Sequence, residues 1–170
     1  MTVRDSQRAK VYDAEQLVRG VFDRADEHNI RTVELYGSHL TLPIERRFAS
    51  VESVQSYVDR VLELNWIRAQ WVRAAVPVRV RPRAGTTAAH YETAEGVLAV
   101  PLYSGATAWA LRELVILHEL AHHLESDPAA AAPHGPEFCG RYLELVDGVV
   151  GPEAALLLRA TMLGCGARLG

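Results

Sequence analysis

Hydrophobic and polar residues follow two different periods along this chain. Apolar residues recur every three or four positions in five segments, which predicts helices. Short segments rich in β-branched or aromatic residues, two of them alternating polar with apolar positions, predict strands. The predicted helices are residues 6–28, 50–65, 107–124, 134–147 and 153–163, and the predicted strands are residues 31–38, 76–83, 89–93 and 96–102. This mixture predicts an α+β fold, with a small, mostly antiparallel sheet packed on helices.

Single residues refine several of these elements. Ser50 is a suitable N-cap for the second helix, because its hydroxyl can accept a hydrogen bond from the first turn. Gly37 indicates a bulge or bend in the first strand, and residues 39–43 could continue that strand. Pro77 and Pro82 favour a sheet edge or a strand end for residues 76–83, because proline cannot donate to a ladder of hydrogen bonds.

The last predicted strand runs almost directly into the helix at residues 107–124. A strand beside this helix could hold an extended peptide along its free edge by β-augmentation. We therefore consider residues 97–101 as a peptide-binding edge. The alternative is that these residues are an ordinary part of the sheet, paired on both sides.

Length and composition predict one globular domain. The chain has 170 residues, which is enough for a hydrophobic core of its own. Hydrophobic residues make up 49% and charged residues 23%, both usual for a globular protein. No internal repeat or low-complexity linker divides the sequence, so we expect a single domain over residues 1–170.

The cysteines and the N-terminal residues favour a cytoplasmic location. Cys139 and Cys165 do not form a C-x-x-C pair, which excludes a cysteine-based zinc ribbon and suits a reducing compartment. Residues 1–8 show neither the apolar segment nor the cleavage site of a signal peptide. Since no run of about 18 uncharged apolar residues occurs, we expect no membrane span and no membrane partner.

The charge of the chain does not favour a nucleic acid as partner. The net charge is −3, which gives no general attraction to a phosphate backbone. Trp66 and Trp71 alternate with Arg68 and Arg73, a combination that could stack bases and pair with phosphates. A packed connector explains the same residues more simply, because tryptophan side chains are usually buried.

The main candidate for chemistry is the sequence His118-Glu119-Leu120-Ala121-His122. It lies in the predicted helix 107–124, where residues four apart share a face with Cβ atoms about 5–6 Å apart. His118 and His122 can therefore direct both imidazoles at one metal ion. Glu119 is the next residue around the helix, where a carboxylate can act on a metal-bound water. This is the H-E-x-x-H pattern of zinc hydrolases.

A catalytic zinc ion needs a third protein ligand and an open position. The candidates in the following segment are His123, Glu125, Asp127, His134 and Glu137. His123 projects about 100° around the helix from its neighbour, so we expect packing or hydrogen bonding to another group from it. His134 follows a turn bounded by prolines, where the chain doubles back, and imidazole is a preferred zinc ligand. We therefore favour His134, with Glu137 or Asp127 as alternatives.

The two motifs together resemble a known family. His118-Glu119-Leu120-Ala121-His122 and His134-Gly135-Pro136-Glu137-Phe138-Cys139 are similar to the active site of SprT-like (Spartan-like) zincin metallopeptidases. With Thr32-Val33-Glu34-Leu35-Tyr36-Gly37-Ser38 and Leu40-Thr41-Leu42-Pro43, the whole chain also resembles an uncharacterised actinobacterial family of metallohydrolases. The resemblance implies a minimal zincin-like fold and the histidine of the second motif, His134, as third zinc ligand.

The sequence departs from the SprT-like family in its accessory parts. Members that act on DNA-bound substrates generally carry a cysteine zinc module and a strongly basic tail. Neither feature follows the two motifs in this sequence. We therefore do not expect a role in removing DNA–protein crosslinks, although the expected zinc site is unaffected.

The expected function is that of a cytoplasmic zinc-dependent metallohydrolase, in particular a metallopeptidase acting on a peptide or protein. Zinc held by His118, His122 and His134 would activate water, and Glu119 would act as the general base. One alternative is a regulatory peptidase of the ImmA/IrrE kind, whose helices carry a similar motif. Another is a zinc-stabilised binding module without catalysis, against which the intact Glu119 speaks.

The reaction also needs a hydrogen-bond donor, for which the sequence offers several candidates. A donor should stabilise the oxyanion of the reaction, and the candidates are Tyr142, Tyr103, Tyr91 and His90. The residues alone do not choose among them.

Overall fold

The computed structural model describes residues 3–84, 88–101 and 111–170. Helices and small sheets are mixed in these ranges, which confirms the predicted α+β class. The chain contacts divide into two compact units, one formed by Met1–Glu45 with Ala129–Gly170 and the other by Arg46–Pro128.

Each predicted helix and strand overlaps an element of the described residues. The described helices are α1 (Arg8–His28), α2 (Val51–Leu62), α3 (Asn65–Gln70), α4 (Glu113–His123), α5 (Pro136–Val149) and α6 (Pro152–Gly164). The described strands are β1 (Thr32–Leu35), β2 (Ser38–Thr41), β3 (Arg79–Arg83), β4 (His90–Glu92) and β5 (Val97–Pro101). A 3₁₀ turn covers Val72–Ala75. Among the described residues, no helix combines the length and apolar character needed to span a membrane.

In the first unit, α1 packs on α6, and α6 packs on α5. The inner face of α1 is formed by Val11, Ala14, Val18 and Phe22, all of which are almost completely buried. This confirms the apolar stripe predicted for α1, apart from Leu17, which is 58% exposed. Burying apolar surface stabilises a fold by about 25 cal/mol per Å², so this face is the main source of stability for the helix.

The segment predicted as one bent strand is a β-hairpin. Strands β1 and β2 pair antiparallel, with Leu35 opposite Ser38. Tyr36 and Gly37 form the connection, and both have positive φ angles, 50° and 78°. Positive φ at both central residues is the geometry of the tight turn whose twist suits a two-residue hairpin. The prediction that residues 39–43 continue the first strand is therefore wrong, because the chain reverses at Gly37.

The second unit contains a three-stranded sheet in the order β3-β5-β4. Strand β5 pairs antiparallel with β4 and parallel with β3, so this sheet is mixed rather than mostly antiparallel. Pro82 lies in the edge strand β3, as its missing N–H group predicts. The central position of β5 also corrects the hypothesis of a peptide-binding edge at residues 97–101. Both sides of β5 are already paired, and all five of its residues are buried.

The outer edge of β3 is covered by a side chain from α2. The amide group of Gln55 donates to the carbonyl oxygen of Val78 at 2.8 Å and accepts from the N–H group of Val80 at 2.7 Å. One amide thus satisfies two backbone groups, as a neighbouring strand would. Helix α2 itself begins after Ser50, whose hydroxyl accepts from Ser53 N–H at 3.1 Å, which confirms the predicted N-cap.

The segment after α2 forms a packed connector. It folds into α3 and the 3₁₀ turn, which follow one another directly. Trp66 and Trp71 are half-buried, and their ring centroids lie 5.9 Å apart in an edge-on arrangement. Edge-to-face packing of this kind favours the simpler interpretation of the two tryptophans.

The helix that carries the H-E-x-x-H motif begins later than predicted. Residues 107–110 lie outside the described ranges, and Arg112 is extended, with φ −114° and ψ 152°. Phe48 N–H donates to the Leu111 carbonyl at 2.8 Å, and Glu113 N–H donates to the Arg46 carbonyl at 2.9 Å. Because these strand-like bonds form on both sides of Arg112, which pairs with Arg47 as an isolated bridge, the helical prediction for Arg112 is wrong.

A buried carboxylate anchors the start of α4. Glu113 is 1% exposed and accepts hydrogen bonds from Tyr57 OH at 2.7 Å, from Arg46 Nη1 at 2.8 Å and from Arg46 N–H at 3.0 Å. The ion pair raises the pKa of the Arg46 guanidinium. A negative charge in the first turn also favours the dipole of the helix. Glu113 therefore connects α4 to α2 and to the strand-like segment at Arg46.

We expect Glu113→Ala to lower the free energy of unfolding by about 2–4 kcal/mol, because a buried tyrosine hydroxyl and an arginine lose their acceptor. Denaturant titration followed by circular dichroism measures this change. Glu95→Ala is the matched control, since Glu95 lies exposed in a turn and should change stability by less than about 0.5 kcal/mol. Equal effects of the two substitutions would contradict an anchoring role for Glu113.

Candidate metal centre

Helix α4 brings His118 and His122 together as predicted. Their Nε2 atoms lie 3.2 Å apart and their ring centroids 5.0 Å apart. The helix is buried nearly all round, since ten of its eleven residues have little exposure and only His122 is intermediate. Two imidazoles on a buried helix need polar partners, because burying a polar group without one costs free energy. One shared metal ion would satisfy both Nε2 atoms.

His134 lies at the end of the proline-bounded turn, directly before α5. Gly135 N–H donates to the Ala132 carbonyl at 2.9 Å, which closes the turn. A Cβ atom on Gly135 would lie only 3.2 Å from both the Ala132 carbonyl oxygen and the Ala132 Cβ atom. Pro136 is the first residue of α5, as its fixed φ angle predicts. Gly135 and Pro136 therefore restrict the chain directly after His134, and the contacts of Gly135 with Ala132 close the turn before it.

The three histidines expected as ligands form one group. Each of His118, His122 and His134 offers one ligand atom, and these atoms all lie within 4.8 Å of one another. Tetrahedral zinc with Zn–N bonds of 2.0–2.1 Å places two ligand nitrogens about 3.3–3.4 Å apart, close to the separation of the first two. Three imidazole donors suit a transition-metal ion, and the three residues are close enough to bind one.

The remaining candidates for the third ligand are not part of this group. Asp127 N–H donates to Glu125 Oε1 at 2.9 Å, a local bond within the turn after α4. Glu137 lies in the first turn of α5. Among the described residues, the group that could hold a metal ion consists of the three histidines without Glu125, Asp127 or Glu137.

His123 has a different set of partners and does not join the group. It is completely buried, and its Nε2 atom lies 3.0 Å from the carbonyl oxygens of Arg73 and Val76. Carbonyls only accept, so Nε2 carries the hydrogen, and Nδ1 accepts from Tyr91 OH at 2.8 Å. Burial and the nearby Arg73 lower the pKa of His123, which keeps the ring neutral. His123 therefore packs the end of α4, as expected from its direction on the helix.

Glu119 is held by the backbone of the sheet. Its side chain is almost buried, and Oε2 accepts a hydrogen bond from Tyr91 N–H at 2.8 Å. Tyr91 lies in β4, where its partner across the sheet is Leu98. The bond fixes the direction of the carboxylate beside His118. The sequence pointed to Glu119 through its motif but contained no sign of this partner, which lies 28 residues away.

The contacts of His134 include a residue that the sequence did not suggest. Asp5 Oδ2 lies 2.7 Å from His134 Nδ1, and Asp5 Oδ1 accepts from His134 N–H at 3.3 Å. The ring also lies between Tyr12 and Phe138, with centroid distances of 5.2 and 5.0 Å. No motif links Asp5 to a residue 129 positions away, so only the folded chain brings the two together.

The structure narrows the candidates for an oxyanion donor. Tyr91 OH donates to His123 and is therefore already engaged. Tyr142 is 1% exposed, and burial together with the nearby Glu15 raises its pKa well above the usual value. His90 is exposed in β4, and Tyr103 lies outside the described residues. Among the described candidates, Tyr91 is therefore the least suited to bind an oxyanion, because its hydroxyl donates to His123.

The cysteine beside His134 behaves as a packing residue. Cys139 is completely buried, and burial raises the pKa of its thiol to about 11. Its Sγ atom lies 4.0 Å from the His134 carbonyl oxygen, to which the thiol donates. A thiol that stays protonated at neutral pH is a poor metal ligand. In the motif around His134, the imidazole rather than the thiol is therefore the candidate ligand.

Comparison with known proteins does not extend this description. No family model matches the chain, and no curated protein or solved structure shows significant similarity to it. The resemblance to SprT-like metallopeptidases therefore stays a prediction that depends on the two motifs.

We expect Tyr91→Phe to lower the free energy of unfolding by about 1–3 kcal/mol, because His123 Nδ1 would lose its donor in a buried site. Thermal or denaturant unfolding measures the change. Tyr36→Phe is the matched control, since the Tyr36 side chain is 85% exposed in the hairpin turn. If both substitutions had the same small effect, the hydroxyl of Tyr91 would not stabilise His123.

Proposed function

We propose that this chain is a zinc-dependent hydrolase that cleaves peptide bonds. The observation that carries the proposal is the group of three histidine ligand atoms within 4.8 Å, with Glu119 next to one of them in the chain. Three imidazoles with no fourth protein ligand in the described part of the chain resemble a catalytic donor set rather than a closed structural site. His118, His122 and His134 would hold the ion.

The chemistry divides between the ion and the protein. When bound, zinc lowers the pKa of a coordinated water to near 7 and polarises a carbonyl group. Glu119 would accept the proton of the attacking water and deliver it to the leaving amine. The hydrogen bond from Tyr91 N–H supports this role, because it restricts the carboxylate to one orientation before substrate arrives.

A peptide or protein substrate is favoured over other hydrolysable groups by the resemblance of the two motifs to SprT-like metallopeptidases. The fold class is compatible with a minimal zincin-like arrangement, since α4 contacts β4 directly. A zinc-stabilised binding module is less favoured, because it has no use for a carboxylate held buried beside the ligands.

We expect Glu119→Gln to retain zinc and to abolish hydrolysis. The substitution keeps an oxygen that can accept from Tyr91 N–H, so strand β4 should stay in place while the base is lost. The measurement compares proteomic cleavage profiles of a cell lysate treated with wild-type or variant protein, with zinc content determined in parallel. Glu95→Gln is the control and should cleave as the wild type does. Cleavage by Glu119→Gln at a near wild-type rate would refute the mechanism.

We expect His134→Ala to weaken zinc retention sharply, because two ligands remain where three are needed. Elemental analysis after dialysis against a weak chelator measures the metal content per chain. His39→Ala is the matched control, since His39 is exposed in β2 and should leave the metal content unchanged. Unchanged zinc in the His134 variant would move the third ligand to another residue.

A further inference from the structure

We propose that Asp5 is a positioning residue for the metal centre: its carboxylate holds His134 with Nδ1 protonated and Nε2 directed at the ion. The inference rests on the proposed metal centre and adds a residue from the segment before α1. In metal sites, a ligating histidine generally donates its second ring N–H to a carboxylate or carbonyl group, which sets its tautomer and raises the basicity of the ligating nitrogen.

The side chains of Asp5 and His134 are in direct contact. Asp5 Oδ2 lies 2.7 Å from His134 Nδ1, a short distance that indicates a charge-assisted hydrogen bond. An ionised carboxylate only accepts, so Nδ1 must carry the hydrogen. The lone pair available to a metal ion is then on Nε2. His118 and His122 likewise approach each other through their Nε2 atoms.

Asp5 contacts both the ring and the backbone of His134. Its other carboxylate oxygen accepts from His134 N–H at 3.3 Å. Two contacts from one carboxylate restrict the backbone and the ring of His134 together. The pair is largely shielded from water, since the side chains are 7% exposed for His134 and 21% for Asp5. Screening by solvent and salt is therefore weaker than for a surface ion pair.

A neighbouring residue, Gln7, keeps the segment that carries Asp5 in place. Gln7, two residues later, is 3% exposed and donates to the His134 carbonyl at 3.2 Å. Gln7 also exchanges two hydrogen bonds with the backbone of Arg168, at 3.1 and 2.7 Å. Asp5 and Gln7 thus bind the N–H and the carbonyl group of His134, and Gln7 is itself bound to Arg168. The segment before α1 is therefore held in place at His134.

The test measures the affinity of the purified chain for Co²⁺ and Zn²⁺ by competition with a chelator. Asp5→Ala is expected to weaken binding about 10–100-fold, the usual cost of losing such a partner. Asp5→Asn keeps an acceptor for Nδ1–H and should bind more tightly than Asp5→Ala. Asp13→Ala removes the same charge from an exposed position on α1 and should bind within about twofold of wild type.

A second measurement does not depend on metal. In the metal-free protein at pH 8, long-range ¹H–¹⁵N spectra should show His134 protonated at Nδ1, and Asp5→Ala should shift it towards the Nε2–H tautomer. The His134→Ala spectrum assigns the signal. Circular dichroism of each variant establishes that it is folded.

The outcomes separate this inference from the proposed function. If wild type binds the metals and folded Asp5→Ala binds equally well, Asp5 has no positioning role and the metal centre stands. A His134 protonated at Nε2 in the wild type would also overturn the inference. If wild type binds neither metal, the metal centre itself is refuted, and the role of Asp5 with it.

Discussion

The burial of α4 is the constraint on which the rest of the structure depends. This helix carries four almost completely buried polar side chains, Glu113, His118, Glu119 and His123. Each would destabilise the fold if it lacked a partner, since a buried polar group without a hydrogen bond costs about 1–3 kcal/mol. The surrounding elements are arranged so that they supply partners. Helix α2 and the segment at Arg46 serve Glu113, and β4 serves the carboxyl-terminal half of the helix.

Tyr91 shows how few residues meet this demand. Its backbone N–H donates to Glu119, and its hydroxyl donates to His123, so one residue of β4 satisfies two buried groups of α4. The two histidines of the motif differ in kind from His123. Their Nε2 atoms lie 3.2 Å apart, and each of the two histidines offers a ligand atom within 4.8 Å of one from His134. Two buried polar groups of α4 are thus held by Tyr91, whereas the two motif histidines form, with His134, a group that is close enough to bind a metal ion.

Much of the local structure could be predicted because it depends on neighbours in the sequence. The N-cap at Ser50, the start of α5 at Pro136 and the inner face of α1 all follow from short-range rules of helix geometry. The errors concern pairing between segments. Alternation identified the strands but could not show that Gly37 closes a hairpin, that β3 runs parallel to β5, or that β5 is central.

The sequence by itself determined the pair His118 and His122 with Glu119 beside them, because the spacing of residues on an α-helix is set by its backbone. It also indicated His134, through the turn that precedes it and the ligand preference of zinc. Only the tertiary structure decided that Tyr91 holds Glu119 and that the same residue supplies the partner of His123. The same holds for Asp5, which meets His134 across 129 residues of chain. Such contacts follow from how distant segments pack, and no local period of the sequence encodes them.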